Sequence, residues 1–590
     1  MMVASGIMLL LLLVVTGRLV QLQWKQHEGL FLQAEENRME MVPELPLRGE
    51  ILDRHGVVLA QNRVSYRLSL IPERVEHLSA TLDFLGAQLA WSTRQRQLIA
   101  RRIRHHRPDR PVLLQDKLIW SRAAPIASRQ YHWPGIEIEA SSYRYYPFSK
   151  QTSHLIGYLA LANRHDLHQG VHSGELVGRS GVERAFERQL HGTAGYRQEE
   201  VDARGRRVRI LSREPSQVGK PVRLSIDIVL QQAASAALGS RTGAVAVLDV
   251  HSGEVLALLS KPGYNTNLFI TGLEQARWNQ WLADPSKPLL NRAIQAAYPP
   301  ASTMKLITAL AGFRFHAPLV HSTTVCKGFL TLADRKLRCW KHRGHGRIGI
   351  TRAIIESCDV FFYRLGDQLG MAHLSVTARD WGLGERTGIE LFGEVKGHIP
   401  GANPHHIREQ RRWYRGEIMI SAIGQGSVTT TPLQMARVAA TIANGGKLLR
   451  LTLLANQPPQ IERQIVVQGD TLQTIRQAMR HVVSSWSGTG HRALSQAKLA
   501  TAGKTGTAQV VRTKRDAHGN KIKGRVMQRD RDHAWFMGYA PFQHPEIALA
   551  VFVEHGGHGG KVAGPIARAI IDAYAMEHAA KHPINSAHDS

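Results

Sequence analysis

The run Gly243-Ala244-Val245-Ala246-Val247-Leu248-Asp249-Val250 and the run Val255-Leu256-Ala257-Leu258 that follows it carry almost nothing polar on either alternation. Successive strand side chains point to opposite faces, so two such runs around His251-Ser252-Gly253-Glu254 read as a hairpin buried on both faces. A hairpin of that kind needs a covered sheet. The run Ile547-Ala548-Leu549-Ala550-Val551-Phe552-Val553-Glu554 has the same texture and is predicted to be a further strand, with a helix at 564–576 laid over it. Another helix is predicted at 228–238, just before the hairpin. The expected fold class is α/β, and 590 residues with 43% apolar composition allow two or more domains with a sizeable core.

Tyr298-Pro299-Pro300-Ala301-Ser302-Thr303-Met304-Lys305 interrupts this pattern. Two prolines halt the backbone, and Met304 to Leu310 continues as an apolar helix with Ser302 at its start. Residues three apart share a helix face, so Lys305 is predicted to reach the Ser302 hydroxyl. A desolvated lysine that loses its proton turns an adjacent serine into a nucleophile. An N-capping serine followed by a solvated lysine is the plainer reading of the same spacing. Downstream stand Ser357-Cys358-Asp359 and then Lys504-Thr505-Gly506-Thr507. Gly503-Lys504-Thr505 also looks like the end of a phosphate-binding loop, but that loop needs glycine at position 498, where Lys498 stands.

A serine/lysine pair, a second serine triad and a K-T-G strand, in that order, are the motif set of penicillin-binding proteins and serine β-lactamases. The sequence resembles the class B penicillin-binding proteins of the elongation type over nearly its whole length. The resemblance implies a transpeptidase domain with a central antiparallel sheet flanked by helices, in which Ser302 attacks the D-Ala-D-Ala carbonyl of a peptidoglycan stem peptide. Lys305 would be the base, and Ser357 would pass a proton to the departing amine. Lys504, Thr505 and Thr507 would meet the substrate carboxylate, with Gly506 letting substrate lie against the strand, and backbone N–H groups of Ser302 and Thr507 would form the oxyanion hole. β-Lactams would acylate the same serine. Two positions depart from the pattern. Asp359 stands where asparagine is usual and is expected to favour the charged forms of both lysines; Ala301 stands where glycine is expected. Gly424-Gln425-Gly426 is a tight turn placed near the site only by the resemblance, and His555-Gly556-Gly557-His558 reads as a solvated loop. A penicillin-responsive sensor or a non-catalytic cell-wall scaffold is the alternative function.

Residues 1–24 are apolar enough to span a membrane, with Arg18 able to snorkel and Trp24 placed as an interfacial anchor. No convincing small-residue cleavage site follows, which favours an uncleaved signal anchor over a cleaved leader. Residues 25–45 read as a juxtamembrane stalk and 46–217 as a non-catalytic pedestal. The pedestal opens with Arg48-Gly49-Glu50-Ile51-Leu52-Asp53-Arg54-His55-Gly56, a hairpin turning at Asp53–Gly56, and includes Gly178-Arg179-Ser180-Gly181-Val182-Glu183 and an Arg-rich helical stretch at 89–104. The transpeptidase domain is expected at 218–577, and 578–590 as a frayed polar tail. The formal charge of +28 raises nucleic acid as a partner. The basic residues are scattered and no nucleic-acid-binding signature accompanies them, so anionic lipid, a diphosphate-bearing substrate or plain solvated surface fits better. By resemblance the chain sits in the bacterial inner membrane with its bulk in the periplasm. The sequence shows no acidic motif of a glycan polymerase, so a membrane glycosyltransferase is the expected partner.

Every cysteine of the chain falls between 326 and 358. Cys326, Cys339, His345 and Cys358 supply the ligands of a closed structural zinc site, with His342 as a substitute ligand. A Cys326–Cys339 disulfide and buried unligated thiols are the competing readings. No organic cofactor is expected.

Overall fold

The computed structural model describes residues 2–28, 31, 38–169, 171–172, 174–202, 207–401, 413–510 and 530–581. Parts of the expected stalk and tail lie outside them. Helix α1 (Met2–Val20) continues through one wider turn at Gln21–Lys25. Its apolar stretch Ser5–Lys25 has mean hydropathy 2.0, none of it buried against the rest of the chain, and is long enough to cross a membrane once.

Two larger sheets build the pedestal, beside a two-stranded pair formed by Leu159–Leu161 and Leu176–Gly178. Strand β1 (Met39–Glu44) pairs with β6 (Gly195–Val201), which pairs with β7 (Arg207–Glu214). The second sheet joins β2 (Ile51–Leu52), β3 (Val58–Leu70), β4 (Val112–Leu118), β5 (Ile136–Tyr145) and β8 (Val222–Arg223), the last running parallel to β2. The helical stretch expected at 89–104 is α3 (Thr93–Arg104), which starts later than expected because Leu89 ends a separate helix, α2 (Leu78–Leu89). Ala90 takes φ +53 between them, and Ser92 with Gln95 closes a capping box that starts α3 afresh. Leu85, Leu89, Ile99 and Ile103 then pack on Leu68, Leu70 and Val112.

The two pedestal motifs read from sequence meet in space. Arg48 donates to Glu183 at 2.6 Å and to Glu187 at 2.6 Å, while Arg144 donates to the other Glu183 oxygen at 2.8 Å. Glu183 is wholly buried. Removing one partner of such a buried pair costs about 3–5 kcal/mol, because the charge left behind has no water.

The catalytic unit is a five-stranded antiparallel sheet in the order β10-β9-β13-β12-β11. These are β9 (Gly243–Asp249), β10 (Val255–Lys261), β11 (Ala502–Ala508), β12 (His533–Ala540) and β13 (Ile547–Val553). Val245 and Val247 face one layer with α4 (Ile228–Leu238) and α10 (Gly559–Lys581). Ala244, Ala246 and Leu248 face the other, with α5 (Lys305–Arg314), α7 (Asp359–Asp380), α8 (Pro432–Ala443) and α9 (Thr471–Ser484). That division explains strands apolar on both alternations. The short helix α6 (Ile350–Ile355) leads to the turn before α7. Residues 578–581, expected to fray, continue α10 instead, because His578 packs its ring on Tyr574 at 4.7 Å and approaches Glu546 at 3.7 Å.

Candidate active site

Ser302 does not cap a helix. Ala301–Thr303 is a single 3-10 turn, and the α-helix begins at Lys305. Ala301 takes φ +53, and its N–H donates to Gly424 O at 2.8 Å. A Cβ on Gly424 would stand 2.2 Å from Ala301 O, so the turn read weakly from Gly424-Gln425-Gly426 is the support on which the Ser302 turn rests. On its other side Pro300 O lies 3.1 Å from where a Gly506 Cβ would be, which lets β11 lie directly against the turn. Gln425 Nε2 donates to Thr507 O at 3.2 Å and ties the two supports together.

The structure brings Lys305, Ser357, Asp359 and Lys504 together, all buried. Lys305 Nζ donates to Asp359 Oδ1 at 2.7 Å, Ser357 O at 2.9 Å and Ser357 Oγ at 3.2 Å. The half-buried Ser302 has no hydrogen bond to it, contrary to the expectation from i, i+3 spacing. Lys504 Nζ reaches the same Ser357 Oγ from the opposite side at 3.0 Å and Thr505 O at 3.0 Å. Ser357 holds its hydroxyl there in a backbone at φ +56, a conformation that costs a side-chain-bearing residue about 1–2 kcal/mol.

Asp359 acts on Lys504 in the expected direction, favouring its charged form, but burial prevails. Burial pushes the Lys504 ammonium well below the ordinary lysine range, Lys305 adds to that, and Asp359 opposes it without prevailing. Burial likewise raises the Asp359 carboxyl, against the pull of Lys305. Desolvation outweighs the added carboxylate at Lys504.

Trp340 and Thr489 belong to the site and carry no motif. Trp340 donates its backbone N–H to Asp359 Oδ2 at 2.8 Å and its indole N–H to Ser357 O at 3.0 Å. Thr489 Oγ1 meets Thr505 Oγ1 at 2.6 Å, and Thr507 Oγ1 accepts from Gly559 N at 3.3 Å. Trp340 was detectable only as the neighbour of Cys339. His555 takes φ +51 and donates its N–H to His533 Nδ1 at 2.9 Å, while His558 is exposed, so the segment is a partly solvated loop at the sheet end.

Cys326, Cys339, His345 and Cys358 come together behind this loop, all buried, with one donor atom from each within 4.8 Å of the others. The three cysteines are free thiols, not a disulfide pair and an odd one. His345 Nδ1 lies 3.5 Å from Cys326 Sγ and 3.6 Å from Cys339 Sγ; His342 is exposed and outside the group. The Cys358 thiol, then burial's opposition, then His345 set the balance at Cys339, whose thiol is held far below its ordinary range while that of Cys358 is raised. The set offers three sulfurs and one imidazole, the donors of a closed tetrahedral zinc site.

Comparison with known proteins follows the same division. Residues 243–572 match the family model of the penicillin binding protein transpeptidase domain, and 43–224 that of the penicillin-binding protein dimerisation domain. The chain is 34% identical to peptidoglycan D,D-transpeptidase MrdA of Escherichia coli, over 96% of this chain and 92% of that protein. It is 34% identical to MrdA of Acinetobacter baumannii, over 99% and 88%. Among solved structures it is similar to the penicillin-binding protein PBP2 of Helicobacter pylori in complex with MreC, with TM-score 0.80 and 28% identity over 92% of this chain and 99% of that one. A chain of a peptidoglycan synthase complex that coordinates polymerisation and crosslinking is similar with TM-score 0.74 and 29% identity, over 100% and 99%.

Proposed function

Since the chain belongs to the penicillin-binding proteins, with a dimerisation domain ahead of a transpeptidase domain, we propose that Ser302, Lys305, Ser357 and Lys504 perform its acyl transfer. The chain is a peptidoglycan D,D-transpeptidase. The observation that carries the residue roles is the Ser357 hydroxyl, 3.2 Å from the Lys305 ammonium and 3.0 Å from that of Lys504. In this reading Ser302 Oγ bonds to the stem-peptide carbonyl carbon and the bond to the terminal D-Ala nitrogen breaks. The serine proton travels through Lys305 and Ser357 to the leaving amine. A neighbouring stem's amine then takes the acyl group and releases Ser302.

Lys504 is the device that prepares Lys305. Burial disfavours its charged form until a substrate carboxylate arrives, with Thr505 and Thr507, beside it. The carboxylate then favours the cation, and Lys504 takes a proton from Lys305 through Ser357. Lys305 is left neutral and free to turn to Ser302 as the base. Asp359 and Trp340 position these groups, and the backbone N–H groups of Ser302 and Thr507 bind the oxyanion, each such bond worth about 3 kcal/mol.

Acyl transfer of this kind needs no organic cofactor. Cys326, Cys339, His345 and Cys358 fit a structural zinc ion, which bound there would join the strand pair Thr324–Cys326 and Gly346–Ile348 to the Ser357 turn. For the division between pedestal and catalytic unit, the two matched segments favour a boundary between residues 224 and 243, somewhat beyond the expected 218. The apolar α1 supports a single-pass membrane anchor, the placement of the catalytic unit in the periplasm of the inner membrane rests on the family alone, and the likeness to a synthase-complex subunit supports a membrane glycosyltransferase partner in wall elongation. Labelling with a fluorescent penicillin tests the central assignment: Ser302→Ala should abolish covalent label in a folded chain. Stoichiometric labelling of that variant would put the nucleophile elsewhere.

A further inference from the structure

The loop that follows α9 carries an indole into solvent at the edge of the active site. Trp486 is 91% exposed, and its ring rests on that of His491 with centroids 4.6 Å apart. Single apolar residues on a surface are ordinary. This one is held out by a closed loop. Ser485 N donates to His481 O at 3.0 Å, Gly488 N to Ser485 O at 2.9 Å and Gly490 N to Val482 O at 3.0 Å, and a Cβ on Gly488 would stand 2.3 Å from Val482 O. A ring presented on such a loop meets a ligand with little further ordering.

The same loop touches the reaction. Thr489 N donates to Ile355 O at 3.4 Å, and Thr489 Oγ1 meets Thr505 Oγ1 at 2.6 Å. A second exposed indole hangs from the same turn: Trp340, 55% exposed, donates through its ring N–H to Glu356 O and Ser357 O at 3.0 Å each. Four described tryptophans are more than half exposed, and these two are tied to residues 355–357. In the acyl transfer proposed above, on which this inference rests, Thr505 meets the carboxylate of the departing D-Ala. The attacking amine enters where the D-Ala amine left, because attack and departure pass through tetrahedral intermediates that differ only in the amine they hold. The loop of Trp486 and Thr489 therefore borders the entrance of the acceptor.

The acceptor amine reaches that entrance as an ammonium and must lose a proton before it attacks. A carboxylate would favour its charged form. The two carboxylates beside the turn are engaged, Glu356 accepting from Arg352 at 2.6 Å and Asp359 from Lys305 at 2.7 Å. An indole face attracts an ammonium through its ring quadrupole, more weakly than a carboxylate does, and so yields it more readily. We propose that Trp486 recognises the acceptor, its indole face receiving the alkylammonium group of the neighbouring stem peptide beside Ser357. The nitrogen there gives one proton to water and bonds to the acyl carbon; the bond to Ser302 Oγ breaks, and a second amine proton goes to that oxygen.

The full chain in detergent, given a benzoyl-D-alanyl thioester as donor and Nα-acetyl-lysyl-D-alanine as acceptor, provides the test, with transfer and hydrolysis products counted separately. Trp486→Ala and Trp486→Leu should each raise the acceptor concentration for half-maximal transfer about two- to fivefold, with Trp486→Phe between them and wild type. The rate at saturating acceptor should be kept. Half-maximal transfer unchanged in Trp486→Ala would overturn the proposal, and so would wild-type behaviour in Trp486→Leu, which would make the contact merely apolar. Penicillin labelling of Ser302 separates this inference from the reading beneath it: unlabelled Ser302 in wild type would overturn both, whereas labelled variants with unchanged acceptor dependence would overturn this one alone.

Discussion

Asp359 holds the Lys305 ammonium at 2.7 Å, in place of the contact with Ser302 that the spacing of those two residues suggests. The resting site therefore keeps its base paired with a carboxylate rather than with the nucleophile, and acylation must include a step that frees it. Asp359→Asn removes the counter-ion while keeping an acceptor for Trp340 N–H. The penicillin acylation rate should rise in that variant, since Lys305 no longer has to be freed from a carboxylate. A rate identical to wild type would show that Asp359 does not restrain Lys305.

Ala301 offers a test of strain at the nucleophile turn. A non-glycine residue at φ +53 costs about 1–2 kcal/mol, and glycine returns about 0.5–1 kcal/mol of that through the freer unfolded chain. Ala301→Gly should therefore stabilise the catalytic unit by about 0.5–1 kcal/mol, read as a higher Tm, with penicillin acylation retained. A lower Tm would show that the turn gains more from the Ala301 methyl, which is fully buried, than it loses to φ.

What the sequence made legible here follows from range. The hairpin of β9 and β10 and helix α4 rest on patterns within a few residues, and each is where the pattern placed it. The partner of Lys305 is decided by a fold that carries Asp359 back to it, and spacing alone favoured Ser302. The break at Ala90 has no glycine or proline to mark it, since Trp91 and Leu89 packing overrides the local preference. His578 is helical because of Tyr574 and Glu546, both invisible to a reading of the polar tail.

Stability should fall in mild acid through His154. Burial holds its imidazole down to about 4 from the ordinary 6.5, and Nε2 contacts Pro288 O at 2.7 Å. Between those values the unfolded chain takes up a proton that the folded chain excludes. The contribution is fully present above pH 6.5 and is lost as pH falls toward 4, amounting to about 3 kcal/mol. His154→Gln keeps a donor for Pro288 and should flatten that part of the stability–pH curve. A slope unchanged by the substitution would assign the acid sensitivity to other groups.

The cysteine set makes the final prediction, because it touches the reaction only through position. Trp340, next to Cys339, holds Asp359 Oδ2 and Ser357 O, while Cys358 sits between Ser357 and Asp359 themselves. A zinc ion bonded to Cys339 and Cys358 would therefore fix both ends of the segment that presents Ser357 at its costly positive φ. Binding energy of a structural zinc site is folding energy, so its loss should lower stability and acylation together. Cys326→Ser should retain one equivalent of zinc less than wild type, lower the Tm and slow penicillin acylation, while Ser302 remains the labelled residue. Metal-free protein with normal Tm and acylation would rule the site out. A gain of two hydrogens on reduction would instead reveal a disulfide.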